Sequence, residues 1–253
     1  MKFIQDTQIL FVRNFKKTLR EPLWLFIGIM QPALYILLYM PLLKNIGNTS
    51  ALPLGKIAQI FVPGMLIIMG VSSLFAGFGF IPEIREGYIT RLLVTPVNRF
   101  AILLAMVMDQ LFTLLMQSVI LIFIALLLGL RTSVIAVILS LILVIIVGAT
   151  TSCISYIISI SARHEDGLAS TVNTLYLPIM LLSGIMLPIS LAPQWLKNIA
   201  GFNPFYYAVE AARELFLGNF TSFTIVKGFL IMSVFAAVAL WFAVRSLRKM
   251  AVM

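Results

Sequence analysis

The chain has 253 residues, of which 61% are hydrophobic and 11% are charged, and its net charge is +9 at pH 7. Soluble domains carry about a quarter charged residues, so this composition excludes a water-soluble protein and predicts one that uses the membrane as its solvent. The basic excess lies beside the ends of apolar runs, which the positive-inside rule explains without nucleic-acid binding, and the single Cys153 excludes an internal disulfide.

Six apolar runs are long enough to cross a hydrocarbon core of about 30 Å, which needs about 20 helical residues at 1.5 Å each. They predict an all-α, polytopic membrane protein that forms one transmembrane domain over residues 1–253. The first run is too long for a signal peptide and lacks a small-residue cleavage site, so it is expected to be retained. The predicted spans are 23–43, 57–81, 103–130, 134–160, 168–190 and 225–244.

The distribution of Lys and Arg predicts the orientation. Twelve of the 18 lie before the first span, in the loops 82–99 and 161–167, or after the last span. Because positive charge accumulates on the cytoplasmic side, both termini and these two loops are expected to be cytoplasmic, in a multi-pass protein of the cell membrane.

The segment before the first span predicts an interfacial helix within residues 1–22. On a helical wheel, Ile4, Phe11, Phe15 and Leu19 fall on one side. The basic residues Lys2, Arg13, Lys16 and Arg20 fall on the other side. This pattern is typical of a helix that lies among lipid head groups, and it leaves open whether the same helix also docks a cytoplasmic partner.

The loop between the second and third spans, EIREGYITRLLVTPVNRF at 83–100, carries five charges between two nearly uncharged runs. Ile84, Tyr88 and Leu92 share one face of a predicted short helix, in which Gly87 is expected to permit a kink or a close approach. Thr95 and Pro96 are expected to end this helix and to start the next one. The charges either only set the topology or form a docking surface.

Two further charged positions stand out. Asp109 is the only acid well inside an apolar run, one to two turns from the predicted cytoplasmic interface. It either holds helices together or forms a proton or substrate site. The turn SARHEDGLAS at 161–170 is either a topology turn or a second contact for a partner. It contains the sole histidine, His164, and without a second histidine or a cysteine cluster no metal site is expected.

The segment 177–218 predicts a re-entrant external hairpin. Ser183-Gly184 and Pro188 interrupt the fifth span, and a second short helix follows Asn203-Pro204. Non-spanning helices at membrane depth need cover from protein or from a water-filled cavity. Arg213 lies three residues after Glu210 and can pair with it on one helical face, beside Glu214.

The chain lacks the sequence features of an ATPase or of a membrane enzyme. A nucleotide-binding P-loop needs G-x-x-x-x-G-K-[ST], but Gly55-Lys56 is followed by Ile57 and has Ser50 where the first glycine belongs. An intramembrane aspartyl protease would need a second membrane acid beside Asp109. We therefore expect no catalytic residues, and any energy source must be a separate subunit.

Four motifs in order resemble the ABC-2-type permeases of ATP-binding-cassette transporters, and look closest to the daunorubicin-resistance-like branch that exports drugs or lipids. The first three are Arg20-Glu21-Pro22, Pro63-Gly64-Met65, and the loop from Arg85-Glu86-Gly87 to Pro96-Val97-Asn98-Arg99. The fourth, in the hairpin, comprises Ser183, Gly184, Pro193, Asn203, Pro204, Phe205, Tyr207 and Arg213.

The resemblance implies an export subunit for an amphipathic drug-, antibiotic- or lipid-like substrate. It also implies a separate ATP-binding subunit that holds ATP and Mg²⁺, a second copy of this chain or a related permease, and contact with lipids. The loop 83–99 would be the coupling helix, which contacts the ATP-binding subunit. The implied contact residues are Arg13, Glu83, Arg85, Glu86, Gly87, Tyr88, Arg91, Arg163, Glu165 and Asp166.

The resemblance further implies that spans one, two and five line the translocation path. The residues expected along this path or at its gate are Pro32, Gly64, Ser183, Gly184, Asn203, Pro204, Tyr207, Glu210, Arg213 and Glu214. Two alternatives stay open: a polysaccharide or teichoic-acid permease of the same superfamily, and a membrane scaffold or sensor that transports nothing.

Overall fold

The computed structural model describes residues 2–46, 54–93, 98–162, 164–185, 189 and 192–250. Within these ranges every regular element is helical, which confirms the all-α prediction. A short 3₁₀ turn at Ser73–Ala76 joins α3 to α4. The helices are α1 Lys2–Arg20, α2 Pro22–Ile46, α3 Leu54–Ser72, α4 Gly77–Arg85, α5 Tyr88–Leu93, α6 Arg99–Leu127, α7 Val134–Ala162, α8 Glu165–Leu182, α9 Gln194–Ala200, α10 Pro204–Leu217 and α11 Phe223–Met250.

Four stretches of the described chain are long and apolar enough to cross a membrane: Ala58–Arg85, Arg99–Leu127, Val134–Ala162 and Phe223–Leu247. A fifth arises if Phe3–Arg20 and Leu25–Leu38, which meet at 65°, count as one bent span. The predicted number of six is therefore not confirmed. The predicted fifth span 168–190 corresponds to α8, which begins with two acids and ends at Leu182.

Helix α7 packs against α3, the 3₁₀ turn, α4, α6, α10 and α11. Its buried small polar side chains form hydrogen bonds with the backbone of the second span, Ala58–Arg85, on both sides of its 3₁₀ turn. Thr151 donates to the carbonyl of Gly70 at 2.7 Å, and Ser155 donates to the carbonyl of Leu74 and accepts from the amide of Gly77 at 2.8 Å. Because a 3₁₀ turn interrupts the regular helical hydrogen bonds, these side chains supply hydrogen-bond partners to backbone groups beside the turn.

The loop after the second span differs from its prediction. Helix α4 continues to Arg85, and Gly87 then adopts a φ of +70°, a left-handed conformation that favours glycine. Ile84 and Tyr88 therefore lie on two helices rather than on one continuous face. The structural reason is this glycine turn, so the predicted kink is confirmed but the single helix is not.

The start of the third span also differs from its prediction. Thr95 and Pro96 lie outside the described residues, but α6 begins at Arg99 and not at Pro96. Asn98 is the N-cap, and its side-chain oxygen accepts a hydrogen bond from the amide of Phe100 at 2.9 Å. An asparagine satisfies an otherwise unpaired amide of the first turn as well as a threonine does.

The N-terminal helix α1 packs against α6. Phe15 contacts Phe112 edge to face with ring centroids 4.8 Å apart, whereas Ile4 is 69% exposed and Leu19 is 47% exposed. The predicted apolar face is therefore divided between a protein contact and an exposed surface.

The hairpin between α8 and α11 contains two short helices. The helix after Asn203-Pro204 is present as predicted, whereas α9 is not predicted from the sequence, and Pro188 lies outside the described residues. Asn203 is the N-cap of α10 and accepts from the amide of Phe205 at 3.0 Å, with Pro204 in the first turn. Ala208, Ala211 and Ala212 are fully buried where α10 packs against α11, α3 and α7. Small side chains allow this close approach between helix backbones.

Candidate functional site

A buried acid joins α1 to α4 at the charged end of the helix bundle. The carboxylate of Glu83 is only 7% exposed and lies 3.2 Å from the ammonium of Lys17 and 3.6 Å from the guanidinium of Arg13. Arg13 also lies over the ring of Tyr88 at 3.6 Å. Burial raises the pKa of Tyr88 and Arg13 opposes the shift, so the phenol stays neutral at pH 7. These contacts hold α1 against α4 and α5.

We name the exposed charges of the two predicted cytoplasmic loops the loop face: Arg85, Glu86, Arg91, Glu165 and Asp166. Arg85 of α4 lies 3.9 Å from Glu165 of α8, with both side chains about half exposed, so charges from the two predicted cytoplasmic loops meet. This contact is too exposed to contribute much stability.

The other residues predicted to contact a partner have different positions. Glu83 is buried. Arg13 on α1 and Tyr88 on α5 contact each other, and Gly87 forms the turn between α4 and α5. Arg163 lies outside the described residues.

Arg213 is the centre of a second cluster, at the other end of α8. Its side chain is 6% exposed. One terminal nitrogen donates to the carbonyls of Gly184 at 2.6 Å and Ile185 at 3.2 Å, and the other donates to Glu210 at 3.0 Å. Nε donates to the carbonyl of Ile60 at 3.4 Å. The guanidinium therefore joins α3, α10 and the chain after α8, and its predicted pairing with Glu210 is confirmed.

Asn203 strengthens the same cluster. Its amide nitrogen donates to the carbonyl of Ile179 at 3.2 Å and to the hydroxyl of Ser183 at 3.1 Å. A Cβ at Gly64 would stand 2.6 Å from the carbonyl oxygen of Ile185, so only glycine permits this approach of α3. We name this cluster, together with Arg213 and Gly184, the hairpin hub.

The remaining predicted hairpin residues make local contacts. Tyr207 donates to the carbonyl of Gly201 at 2.9 Å, and Glu214 accepts from Asn219 at 3.0 Å.

A cavity of about 830 Å³ lies between α1, α2, the second span, α6 and α8. On α6 its wall runs from Met106 to Gln117, which is about 16 Å along the helix axis. Of the ten residues predicted to line the translocation path, only Pro32 lines this cavity. The residues of the hairpin hub are not among its lining residues. The volume lies in the range of sites for drug-sized ligands.

Asp109 lies in the wall of this cavity. Its Oδ2 accepts a hydrogen bond from the hydroxyl of Thr18 at 2.9 Å, which links α6 to α1. Its Oδ1 is buried without a hydrogen-bond partner among the described residues. An unpaired buried carboxylate oxygen is unfavourable in a protein interior, and the hydrogen bond to Thr18 leaves this oxygen of Asp109 without a partner among the described residues.

Sequence reasoning missed the amide side chains of this cavity. Gln117 donates to the carbonyl of Leu25 at 3.2 Å, and Gln110 donates to the hydroxyl of Ser73 at 3.3 Å. Both residues, like Gln31, are amides inside apolar runs. That signal alone could have identified the wall, because polar groups in a membrane helix usually face protein or a cavity.

Within the described part of the chain, no group of three or more His, Cys, Asp or Glu residues is placed to hold a metal ion.

Comparison with known proteins gives one family match. The sequence profile of the ABC-2 type transporter family matches residues 5–217. A protein of Cyanophora paradoxa named "Putative transport permease ycf38" is 27% identical over 221 residues, which cover 85% of this chain and 75% of that protein. The protein of the same name from Pyropia yezoensis is 27% identical over 227 residues, covering 87% and 77%.

Proposed function

The chain belongs to the ABC-2 type transporter family, and we propose that it is the membrane-spanning subunit of an ATP-driven exporter for an amphipathic substrate. Membership supports a transmembrane transporter subunit that works with an ATP-binding subunit. Export, the substrate class and the daunorubicin-resistance-like branch are our proposal, as are the cell membrane and the cytoplasmic placement of both termini. In this proposal ATP and Mg²⁺ bind the partner subunit, and residues 1–253 form one transmembrane domain.

The loop face is the proposed docking surface for the ATP-binding subunit. Its five side chains are exposed and carry both signs of charge, which suits a complementary protein surface better than a lipid surface. Glu83, Arg13 and Tyr88 would act one layer deeper, because their contacts are already made within the chain. The observation that carries the proposal is the meeting of the two charged loops at Arg85 and Glu165.

Movement at the loop face has two direct routes into the membrane part. One route runs through the Gly87 turn into α4 and the rest of the second span. The other runs through Glu83 to Lys17 and Arg13 on α1, and from there through the 65° bend into α2. Both routes end at helices that line the cavity, so a shift of α5 would change its shape.

Alternating access in this proposal needs a second copy of the chain or a related permease. The cavity wall includes the exposed residues Glu86 and Glu165, at the end proposed to be cytoplasmic, and the cavity would load substrate from there or from the inner leaflet. The hairpin hub, at the far end of α8, would keep the external side closed until the subunits move. Pro32, where α2 lines the cavity, is the proposed flexible point of the first span.

Charge reversal on the loop face tests the coupling. In reconstituted vesicles that contain the ATP-binding subunit, Arg91→Glu and Asp166→Lys are expected to abolish ATP-driven transport while the chain still inserts and folds. Lys197→Glu on α9 is the matched control, because it reverses one charge at the distant end of α8. Transport that survives both loop-face reversals at the wild-type rate would contradict the docking assignment.

The same vesicles separate the alternatives. A scaffold or sensor subunit would bind the ATP-binding subunit without substrate-stimulated hydrolysis of ATP. A polysaccharide or teichoic-acid permease would ignore small amphipathic compounds, and its deletion would remove a surface polymer. An exporter of the proposed class shows stimulation by a small amphipathic compound and moves that compound across the vesicle membrane.

A further inference from the structure

The cavity is acidic, although the chain as a whole is strongly basic. Five of the nine acids in the sequence line it, namely Glu21, Glu83, Glu86, Asp109 and Glu165. Among the described residues in its wall, Lys17 is the only lysine or arginine. The net charge of the whole chain is +9, so the negative charge of the cavity wall is a local feature that the overall composition does not predict.

Two of these acids are neutralised within the protein and three are not. Glu83 pairs with Lys17 and Arg13, and Glu165 pairs with Arg85. No lysine or arginine of the described chain lies within salt-bridge distance of Glu21, Glu86 or Asp109. The buried, unpaired Oδ1 of Asp109 is an independent sign that this wall lacks a partner.

The deeper wall of the cavity is aromatic. Phe75 contacts Tyr176 edge to face at 5.4 Å and stacks with Phe78 at 6.2 Å. Phe80 contacts Tyr156 edge to face at 5.6 Å on the side of α7. Ring faces attract cations and offer apolar area to a hydrophobic body, so this wall suits a ligand that combines both properties.

We propose that this cavity binds an organic cation with a bulky apolar body, which is the substrate class of the exporter proposed above. The carboxylates of Asp109, Glu21 and Glu86 attract the charge, and the rings of Phe75 and Tyr176 pack against the body. The inference rests on the proposed transport function, and it adds the site and the sign of the charge. Unpaired carboxylates repel anions, so an anionic compound of the same shape binds more weakly than the cation.

Two probes of nearly the same shape and opposite charge test this sign directly. Tetraphenylphosphonium and tetraphenylborate are measured by equilibrium binding to the full chain in complex with its ATP-binding subunit, in an uncharged detergent. We expect the cation to bind at least about tenfold more tightly than the anion. Asp109→Asn and Glu21→Gln are each expected to weaken binding of the cation by about fivefold or more. Glu214→Gln is the matched control, because Glu214 does not line the cavity.

The comparison of the two probes on the unmodified protein needs no variant to fold. Equal or tighter binding of tetraphenylborate would overturn the inference, and so would cation binding that is unchanged in both cavity variants. If this happens in preparations that retain an active ATP-binding subunit, the transporter proposal stands and only the cationic substrate class is lost. If no ATP-binding subunit is retained, the transport proposal itself fails, whichever probe binds.

Discussion

Replacement of Arg213 is expected to destabilise the protein more than any other single change in the hairpin. Arg213→Met removes four hydrogen bonds and leaves the carbonyls of Ile60, Gly184 and Ile185 without this donor in a buried site. Each unsatisfied buried acceptor costs about 1–3 kcal/mol. The carboxylate of Glu210 also loses its partner, although its side chain is 28% exposed and water offsets part of that loss. Breaking a buried ion pair costs about 3–5 kcal/mol, and we expect a total in this range.

The charge-conserving variant separates charge from geometry. Arg213→Lys keeps the positive charge, but one ammonium group cannot reach three carbonyls and a carboxylate that lie around a planar guanidinium. We expect it to lose roughly half as much free energy of unfolding as Arg213→Met, about 1–3 kcal/mol.

Thermal unfolding of the detergent-solubilised chain, followed by tryptophan fluorescence, measures both variants. For a chain of this size each kcal/mol lowers Tm by about 2–4 °C, so a loss of about 3–5 kcal/mol in Arg213→Met should lower Tm by roughly 6–20 °C. Lys197→Met removes a cation from the same hairpin and is expected to leave Tm nearly unchanged. The reasoning is refuted if Arg213→Met unfolds within about 2 °C of the unmodified protein.

Two further predictions concern the loop and the N-terminal helix. Glu83→Gln removes the ion pairs with Lys17 and Arg13, so the backbone amides of α1 should exchange with deuterium several-fold faster. Glu165→Gln breaks only an exposed contact and should leave this exchange unchanged. Equal protection of α1 in both variants would contradict this prediction. Gly87→Ala forces an alanine into a φ of +70° and should lower the free energy of unfolding by about 1–2 kcal/mol. Gly79→Ala is the control, because a Cβ there meets no atom within 4 Å, and its Tm should stay nearly unchanged. Equal Tm values for the two variants would show that the turn at Gly87 carries no strain.

The sequence was sufficient to predict the features that depend on local chemistry. The apolar runs predict α6, α7 and α11 within a few residues of their observed bounds. The i, i+3 spacing of Glu210 and Arg213 predicts their ion pair, and the N-P dipeptide predicts the start of α10. Gly87 predicts a kink, but the spacing of apolar residues on both sides of it predicts one continuous helix. The periodicity of apolar residues contains no information about the left-handed conformation of one glycine.

Features that depend on distant parts of the chain could not be predicted. In the sequence Glu83 is one of five charges in a predicted loop. The packing of α1 buries it beside Lys17, which lies 66 residues earlier in the chain. The sequence predicts only the pair of Arg213 with Glu210, yet Arg213 also donates to the carbonyl of Ile60, 153 residues away. The cavity depends on five helical segments at once, so its acidic wall is visible only after the fold brings Glu21, Asp109 and Glu165 together.

Co-purification tests the central claim most directly. The full chain, tagged at one terminus and extracted from its native membrane in a mild detergent, is expected to retain a separate ATP-binding subunit that hydrolyses ATP. Arg91→Glu and Asp166→Lys should lower the amount of that subunit on the chain, whereas Lys197→Glu should not. A chain that is isolated folded and intact, with no ATP-binding subunit attached, would contradict the account.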